Sequence, residues 1–165
     1  IDHDHLKSQR LTPDSEYARR AVPFIHGRGL LNATAGSIER ALPSVRERAQ
    51  TFVHAADLLD PFFREPPTMD DKAARKFLVS DAAPKLRDLH RVLTESADWN
   101  VAGLESCIKS WLASMNLELK DIGQLARVAL TGRTASPSPF EILVILGRDI
   151  ALARLSRAAA IAEAT

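Results

Sequence analysis

The sequence predicts an all-α fold, and three observations support this prediction. Apolar residues recur with helical spacing along almost the whole chain, as Leu86, Leu89 and Leu93 do. No run of alternating apolar and polar residues is long enough to indicate a β-strand. Glycine and proline residues fall largely between the periodic segments, where helices are expected to end. We therefore expect a two-part helical bundle or cage of about seven to nine short helices, with no sheet.

The composition is that of an ordinary globular protein. The chain has 165 residues, of which 45% are hydrophobic and 26% are charged, and its formal net charge is only +1. The single cysteine, Cys107, cannot form an internal disulfide, which favours a reducing, cytoplasmic location. The longest apolar runs, such as 142–146, fall far short of the roughly 20 residues that cross a membrane, so we expect no membrane partner.

In the first half of the chain, prolines and glycines set the expected boundaries. The segment 12–14 offers a helix entry, and the three glycines of 27–36 indicate a connection. A longer helical stretch is predicted over 37–60, in which Pro43 should kink the helix or start a new turn. Prolines then bound a short segment, 61–67, that contains two phenylalanines.

In the second half, helices are predicted from about 70 to 79, 83 to 94, 100 to 115 and 120 to 130. Gly132 is the expected stop of the last of these, because glycine is favoured just after a helix.

A proline-containing loop over 133–139 follows that stop. Ser138, Pro139 and Glu141 form a helix start signal: a capping serine, a proline in the first turn, and a glutamate three residues after the serine. The helix that they open is expected to end at Gly147, before a final helix rich in alanine and arginine.

The same region carries a specific resemblance. The segment 125–137 has the sequence LARVALTGRTASP and is followed by Phe-Glu-Ile-Leu at 140–143 and Leu-Gly at 146–147. This order and spacing resembles the C-terminal signature of bacterial glutamyl-tRNA synthetases, which are class I aminoacyl-tRNA synthetases. The segments 45–51, 57–63 and 5–7 resemble the same family collinearly, so the likeness spans nearly all of the chain.

The resemblance implies a fold and a function. It implies the anticodon-binding region of such an enzyme, with helical subdomains at 1–115 and 116–165, in a parent protein that attaches glutamate to tRNA with ATP and magnesium. The HIGH-type and KMSKS-like motifs of the family's catalytic part are missing; the tetrapeptide at 26–29, His-Gly-Arg-Gly, does not fit the first. We therefore expect no catalytic residue, cofactor or metal in this chain, which would be part of a longer protein. The expected partners are tRNA(Glu), also tRNA(Gln) if the enzyme is non-discriminating, and its own catalytic domain, in a monomer.

The resemblance also assigns candidate RNA contacts. It places Arg127 at a position that contacts the first two anticodon bases, and Arg48 at one that recognises the third. The loop residues expected to line the anticodon pocket are Ser136, Pro137, Ser138 and Pro139, although the family typically has glycine and a larger apolar residue at the last two positions. The expected phosphate contacts are Arg46 and Arg133. Arginine suits these tasks because its planar guanidinium binds phosphates and base edges bidentately.

Each assignment has an alternative in the residues themselves. Arg127 could simply favour a helix C-terminus, and the other arginines, including Arg148, Arg154 and Arg157, could be ordinary surface charges. The segment 2–5, Asp-His-Asp-His, offers metal-binding side chains but no preorganised geometry. For the whole chain, two alternatives stay open: a helical protein–protein interaction module without RNA affinity, and a small helical enzyme whose site is unrecognised.

Overall fold

We describe residues 12–165 in a computed structural model of the chain. They form nine α-helices and no strand, which confirms the all-α prediction for this part of the chain. The contacts group the chain into two compact units, Ile1–Glu65 and Pro66–Thr165. The predicted subdomains, 1–115 and 116–165, concern RNA binding and stay a prediction. No helix of the described residues is long and apolar enough to cross a membrane.

The first unit contains three α-helices. They are α1 (Asp14–His26), α2 (Ala35–Ala41) and α3 (Phe52–Phe63). Thr34 caps α2 through its side chain, which accepts a hydrogen bond from the amide of Ser37, and Thr51 caps α3 in the same way through the amide of His54. The helices α2 and α3 both pack on α1. The largest fully buried side chains of this unit are Tyr17, Ile25, Ile38, Leu42 and Leu59.

The predicted helical stretch over 37–60 is interrupted, and a new turn begins around Pro43 as expected. Two single 3₁₀ turns, Leu42–Ser44 and Arg46–Arg48, separate α2 from α3. Pro43 lies in the first of these turns, where its missing amide hydrogen removes a hydrogen bond that a continuous α-helix would use. The separate segment predicted after Pro61 is wrong, since α3 continues to Phe63.

In the first unit, a buried carboxylate near the end of α3 binds two arginines. Asp60 is 3% exposed and accepts hydrogen bonds from Nε of Arg28, at 2.9 Å, and Nε of Arg64, at 2.7 Å. Burial raises the pKa of Asp60, but the hydrogen bonds and charges of Arg64 and Arg28 outweigh it and hold this pKa below its ordinary value. Arg64 also donates to the carbonyl of Arg28, at 3.1 Å, so the cluster ties the loop after α1 to the end of α3.

The second unit contains six α-helices. They are α4 (Asp71–Phe77), α5 (Ala83–Thr94), α6 (Val101–Ser114), α7 (Leu119–Thr131), α8 (Pro139–Leu146) and α9 (Arg148–Glu163). The terminal helix α9 packs on α5, α7 and α8, while α8 also contacts α6 and α7. This arrangement surrounds α8, whose Phe140, Ile142, Leu143 and Leu146 are all buried.

Candidate nucleic-acid interface

The candidate site in the second unit begins where α7 ends. Gly132 has φ +78°, in the left-handed region, and its amide donates to the carbonyl of Val128 at 2.8 Å. Its own carbonyl accepts a hydrogen bond from the amide of Asp70 at 2.9 Å. A Cβ at this position would lie 2.2 Å from the carbonyl oxygen of Thr68, so only glycine fits. The predicted helix stop is therefore confirmed, and the segment before α4 holds it in place.

Arg127 lies on the last turns of α7 and points to the proline-containing loop. Its Nε donates to the carbonyl of Pro137 at 3.1 Å. Its Nη1 extends back over Gly123, where a Cβ would lie 3.6 Å away. Within residues 12–165 Arg127 forms no ion pair. The guanidinium is thus half-buried beside the loop, and no carboxylate among residues 12–165 neutralises it.

The loop over 136–139 combines buried prolines with partly exposed serines. Pro137 and Pro139 are buried, and Ser136 and Ser138 are partly exposed. The hydroxyl of Ser138 accepts the amide of Glu141 at 3.2 Å, so it caps α8 as the sequence predicts. The hydroxyl of Ser136 lies 3.4 Å from the carbonyl of Pro137, a long and weak contact. Of the two hydroxyls, that of Ser136 is the less committed to the fold.

Arg46 and Arg48 lie in the first unit, on the second 3₁₀ turn. Nη1 of Arg46 is 2.5 Å from Oδ1 of Asp14, and its guanidinium carbon lies 4.6 Å from the centre of the Tyr17 ring. The Arg46 side chain is only 16% exposed. Arg48 is exposed, and its Nη2 donates to the carbonyl of Ser44 at 3.2 Å. Of the two, Arg48 is therefore the more accessible to a ligand.

Comparison with known proteins identifies the fold and the family together. A family model described as "Anticodon binding domain" matches residues 16–159. The chain belongs to this family. Glutamate–tRNA ligase from Geobacter sulfurreducens is 34% identical over 163 residues, which cover 99% of this chain and 34% of that protein. The enzyme of the same name from Anaeromyxobacter sp. is 36% identical over 158 residues, covering 96% of this chain and 33% of that protein.

The chain thus spans about a third of the length of these relatives. Among solved structures, a glutamate tRNA ligase from Elizabethkingia meningosepticum matches with a TM-score of 0.76 at 16% identity, covering 94% of this chain and 30% of that one. At this identity the likeness concerns the fold alone. The segment 2–5, considered for metal binding, and the segment 5–7, which contributes to the family resemblance, both lie outside the described residues.

Two buried polar residues, whose structural role the sequence did not predict, shape the site of this anticodon-binding domain. Thr131 is 1% exposed, and its hydroxyl lies 2.8 Å from the carbonyl of Arg127 and accepts the amide of Arg133 at 3.2 Å. Arg154 of α9 is 3% exposed, and its Nη1 donates to the carbonyl of Leu130 at 2.7 Å. Arg154 satisfies the carbonyl of Leu130, one of the last carbonyls of α7 that the helix itself leaves unpaired. In the sequence, the only indication of this role for Thr131 is that a polar residue directly precedes the helix stop at Gly132.

The other candidate arginines differ in their surroundings. Arg154 belongs to the interior, so the surface position considered for it is wrong. Arg148 donates hydrogen bonds to the carbonyls of Thr94 and Ser96, at 3.2 and 2.6 Å, and its guanidinium lies over the ring of Trp99. Its positive charge there stabilises the C-terminal end of α5. Arg133 is half-buried and directly follows the αL glycine.

Proposed function

We propose that this chain is the anticodon-recognition module of a glutamate–tRNA ligase and that it binds the anticodon arm of tRNA(Glu). Membership of the anticodon-binding family supports the class of ligand. The relatives that match almost the whole chain are glutamate–tRNA ligases, which supports the choice of this tRNA. The parent protein would attach glutamate to tRNA with ATP and magnesium bound outside this chain, and the module would orient its substrate.

One observation carries the proposal: the guanidinium of Arg127 lies at a corner stiffened by two prolines. An anticodon is recognised when its unstacked bases are splayed out and their edges meet hydrogen-bond donors. Arg127 offers such donors on its two Nη groups, because only its Nε is bonded to the loop in the described structure. Since prolines restrict the loop before any base arrives, binding loses less conformational entropy.

The remaining candidate residues have separate proposed roles in each of the two units. Arg127, with the loop residues Ser136, Pro137, Ser138 and Pro139, would hold the first two anticodon bases, as the family resemblance implies. Arg48 would contact the third base and separate tRNA(Glu) from tRNA(Gln), and its exposure supports this role.

Arg133 and Arg46 would contact phosphates. Arg46 is restricted by its ion pair with Asp14, because its guanidinium would have to release or share that carboxylate in order to bind a phosphate. We propose that the parent enzyme works as a cytoplasmic monomer.

The test is the affinity of the 165-residue chain for two RNAs with one stem and different anticodons. Fluorescence anisotropy would compare an anticodon stem-loop of tRNA(Glu) with a stem-loop whose anticodon is scrambled. We expect tighter binding of the first, by about 1–3 kcal/mol for each base that loses a good bidentate contact. Equal affinity for the two RNAs would contradict the proposal.

A salt titration separates this function from a protein–protein interaction module without RNA affinity. Phosphate contacts release counterions, so the logarithm of the association constant should fall linearly with the logarithm of salt concentration. An absence of measurable binding at low salt would favour the protein–protein alternative.

A further inference from the structure

The short helix α4 exposes three cations on one face. Lys72, Arg75 and Lys76 are all exposed, and their spacing of three and four residues places them on the same side of the helix. Ala73 is buried and Phe77 is half-buried, and they form the opposite side at a spacing of four residues. The helix therefore has an apolar side turned to the protein and a cationic side turned to solvent. We call Lys72, Arg75 and Lys76 the α4 face.

The α4 face differs from other exposed cations of the second unit. Several of those are paired with a carboxylate within 4.0 Å: Arg87 with Glu163, Arg91 with Asp88 and Glu95, Lys109 with Glu105, and Lys120 with Glu118. Among residues 12–165, no member of the α4 face forms such a pair. The carboxylate of Asp70 is used at the helix start, where it accepts the amide of Ala73 at 2.9 Å. Nζ of Lys76 lies 5.3 Å from the centre of the Phe77 ring, and no carboxylate of the described residues pairs with the α4 face, so its positive charge stays accessible to a ligand or solvent.

The fold connects the α4 face to the corner formed by Arg127 and the loop 136–139, which we call the anticodon corner. The helix packs on α7, and the amide of Asp70, just before its first turn, donates to the carbonyl of Gly132 at 2.9 Å. A helix of seven residues is about 10 Å long, so its cations lie roughly within one Debye length of that corner along the helix axis. An anionic polymer that enters the corner would therefore feel the charge of the α4 face.

We propose that the α4 face binds the phosphate backbone of the RNA whose unpaired bases enter the corner. This inference rests on the proposed function and adds a contact surface that the family signature does not contain. Flexible lysines and an arginine spaced along one helix face suit a chain of phosphates, which carry charge but no sequence information. The α4 face would therefore strengthen binding of cognate and non-cognate RNA alike, whereas Arg127 would distinguish them.

The test removes the charge and measures the salt dependence of binding. The variant Lys72→Ala/Arg75→Ala/Lys76→Ala is compared with the unaltered chain for the tRNA(Glu) anticodon stem-loop and for its scrambled counterpart. Each lost phosphate contact should reduce the salt slope by about 0.7–0.9, so the loss of all three reduces it by about 2. At 0.1 M salt a loss of two slope units corresponds to about 100-fold weaker binding of both RNAs. The ratio between the two RNAs should stay unchanged.

A matched control removes the same charge elsewhere. Lys85→Ala/Arg91→Ala/Lys109→Ala also takes three exposed cations from helices of the second unit, and we expect it to change the salt slope by less than one unit. A charge-preserving variant, Lys72→Arg/Arg75→Lys/Lys76→Arg, should keep the full slope. Equal losses in the α4 and control variants, or an unchanged slope in the α4 variant, would overturn the inference.

The experiment separates the two proposals. If the unaltered chain binds both RNAs equally but the α4 variant loses its slope, the anticodon function fails and the phosphate surface stands. If the unaltered chain prefers the tRNA(Glu) stem-loop but the α4 variant keeps its slope, only the surface fails. A surface that serves an acidic protein segment would give this second result.

Discussion

Replacing Gly132 with alanine tests how firmly the anticodon corner is fixed. At φ +78° an L-residue loses about 1–2 kcal/mol relative to ordinary backbone geometry. The new Cβ would lie 2.2 Å from the carbonyl oxygen of Thr68 and 3.0 Å from Cα of Met69, so backbone must move. The movement endangers the hydrogen bond from the amide of Asp70, worth about 0.5–1.5 kcal/mol. The expected total loss of stability is about 1.5–3.5 kcal/mol.

Gly29→Ala is the matched control for this substitution. Gly29 also has a positive φ, +85°, but no atom lies within 4 Å of its added Cβ. It should lose only the conformational part, about 1–2 kcal/mol. Urea denaturation followed by circular dichroism gives the free energy of unfolding of both variants. If Gly132→Ala is no more destabilising than Gly29→Ala, the argument that the segment at 68–70 holds the corner is refuted.

Two further predictions concern the fold around the proposed contacts. Asp60→Asn should destabilise the chain by about 2–4 kcal/mol in urea denaturation, because two guanidiniums lose their buried carboxylate, whereas Asp57→Asn at an exposed pair should cost at most about 1 kcal/mol. Because the pKa of Asp60 is lowered in the folded protein, the stabilisation it provides is present above the ordinary carboxyl pKa and is lost as pH falls through the folded value. The free energy of unfolding of Asp60→Asn should therefore lack this acid-dependent loss. The same pH dependence of stability in Asp60→Asn and in the unaltered chain would contradict the pairing. Ser138→Ala should lose about 1 kcal/mol of stability by removing the α8 cap, and it should also reduce the preference for the tRNA(Glu) stem-loop because Ser138 lines the proposed pocket. An unchanged preference would mean that Ser138 acts only as the cap.

The helix boundaries that the sequence predicts well are those set by local chemistry. Ser138 caps α8, Asn100 caps α6 by accepting the amide of Gly103 at 2.8 Å, and Gly132 ends α7 in the left-handed region. In each case a side chain, or at Gly132 the absence of one, acts on backbone within a few residues, so the sequence alone predicts the boundary. The anticodon-binding family was predicted from this same C-terminal region.

The features that escaped prediction depend on tertiary packing. Nothing in the sequence near Arg154 indicates that it is buried against the carbonyl of Leu130, 24 residues earlier. The internal partners of Arg46 are likewise distant, since Asp14 lies 32 residues away. The α4 face depends on which cations pair with carboxylates, and the sequence alone does not show this pairing.

The central claim is that Arg127 recognises anticodon bases from the proline-stiffened corner. A double-mutant cycle tests it most directly: Arg127→Ala is combined with single substitutions of each anticodon base in the tRNA(Glu) stem-loop, and the binding free energies give the coupling of the residue to each base. We predict a coupling of about 1–3 kcal/mol with the first and second bases and almost none with the third, which is assigned to Arg48. Negligible coupling with all three bases, or equal coupling with each of them, would contradict the claim.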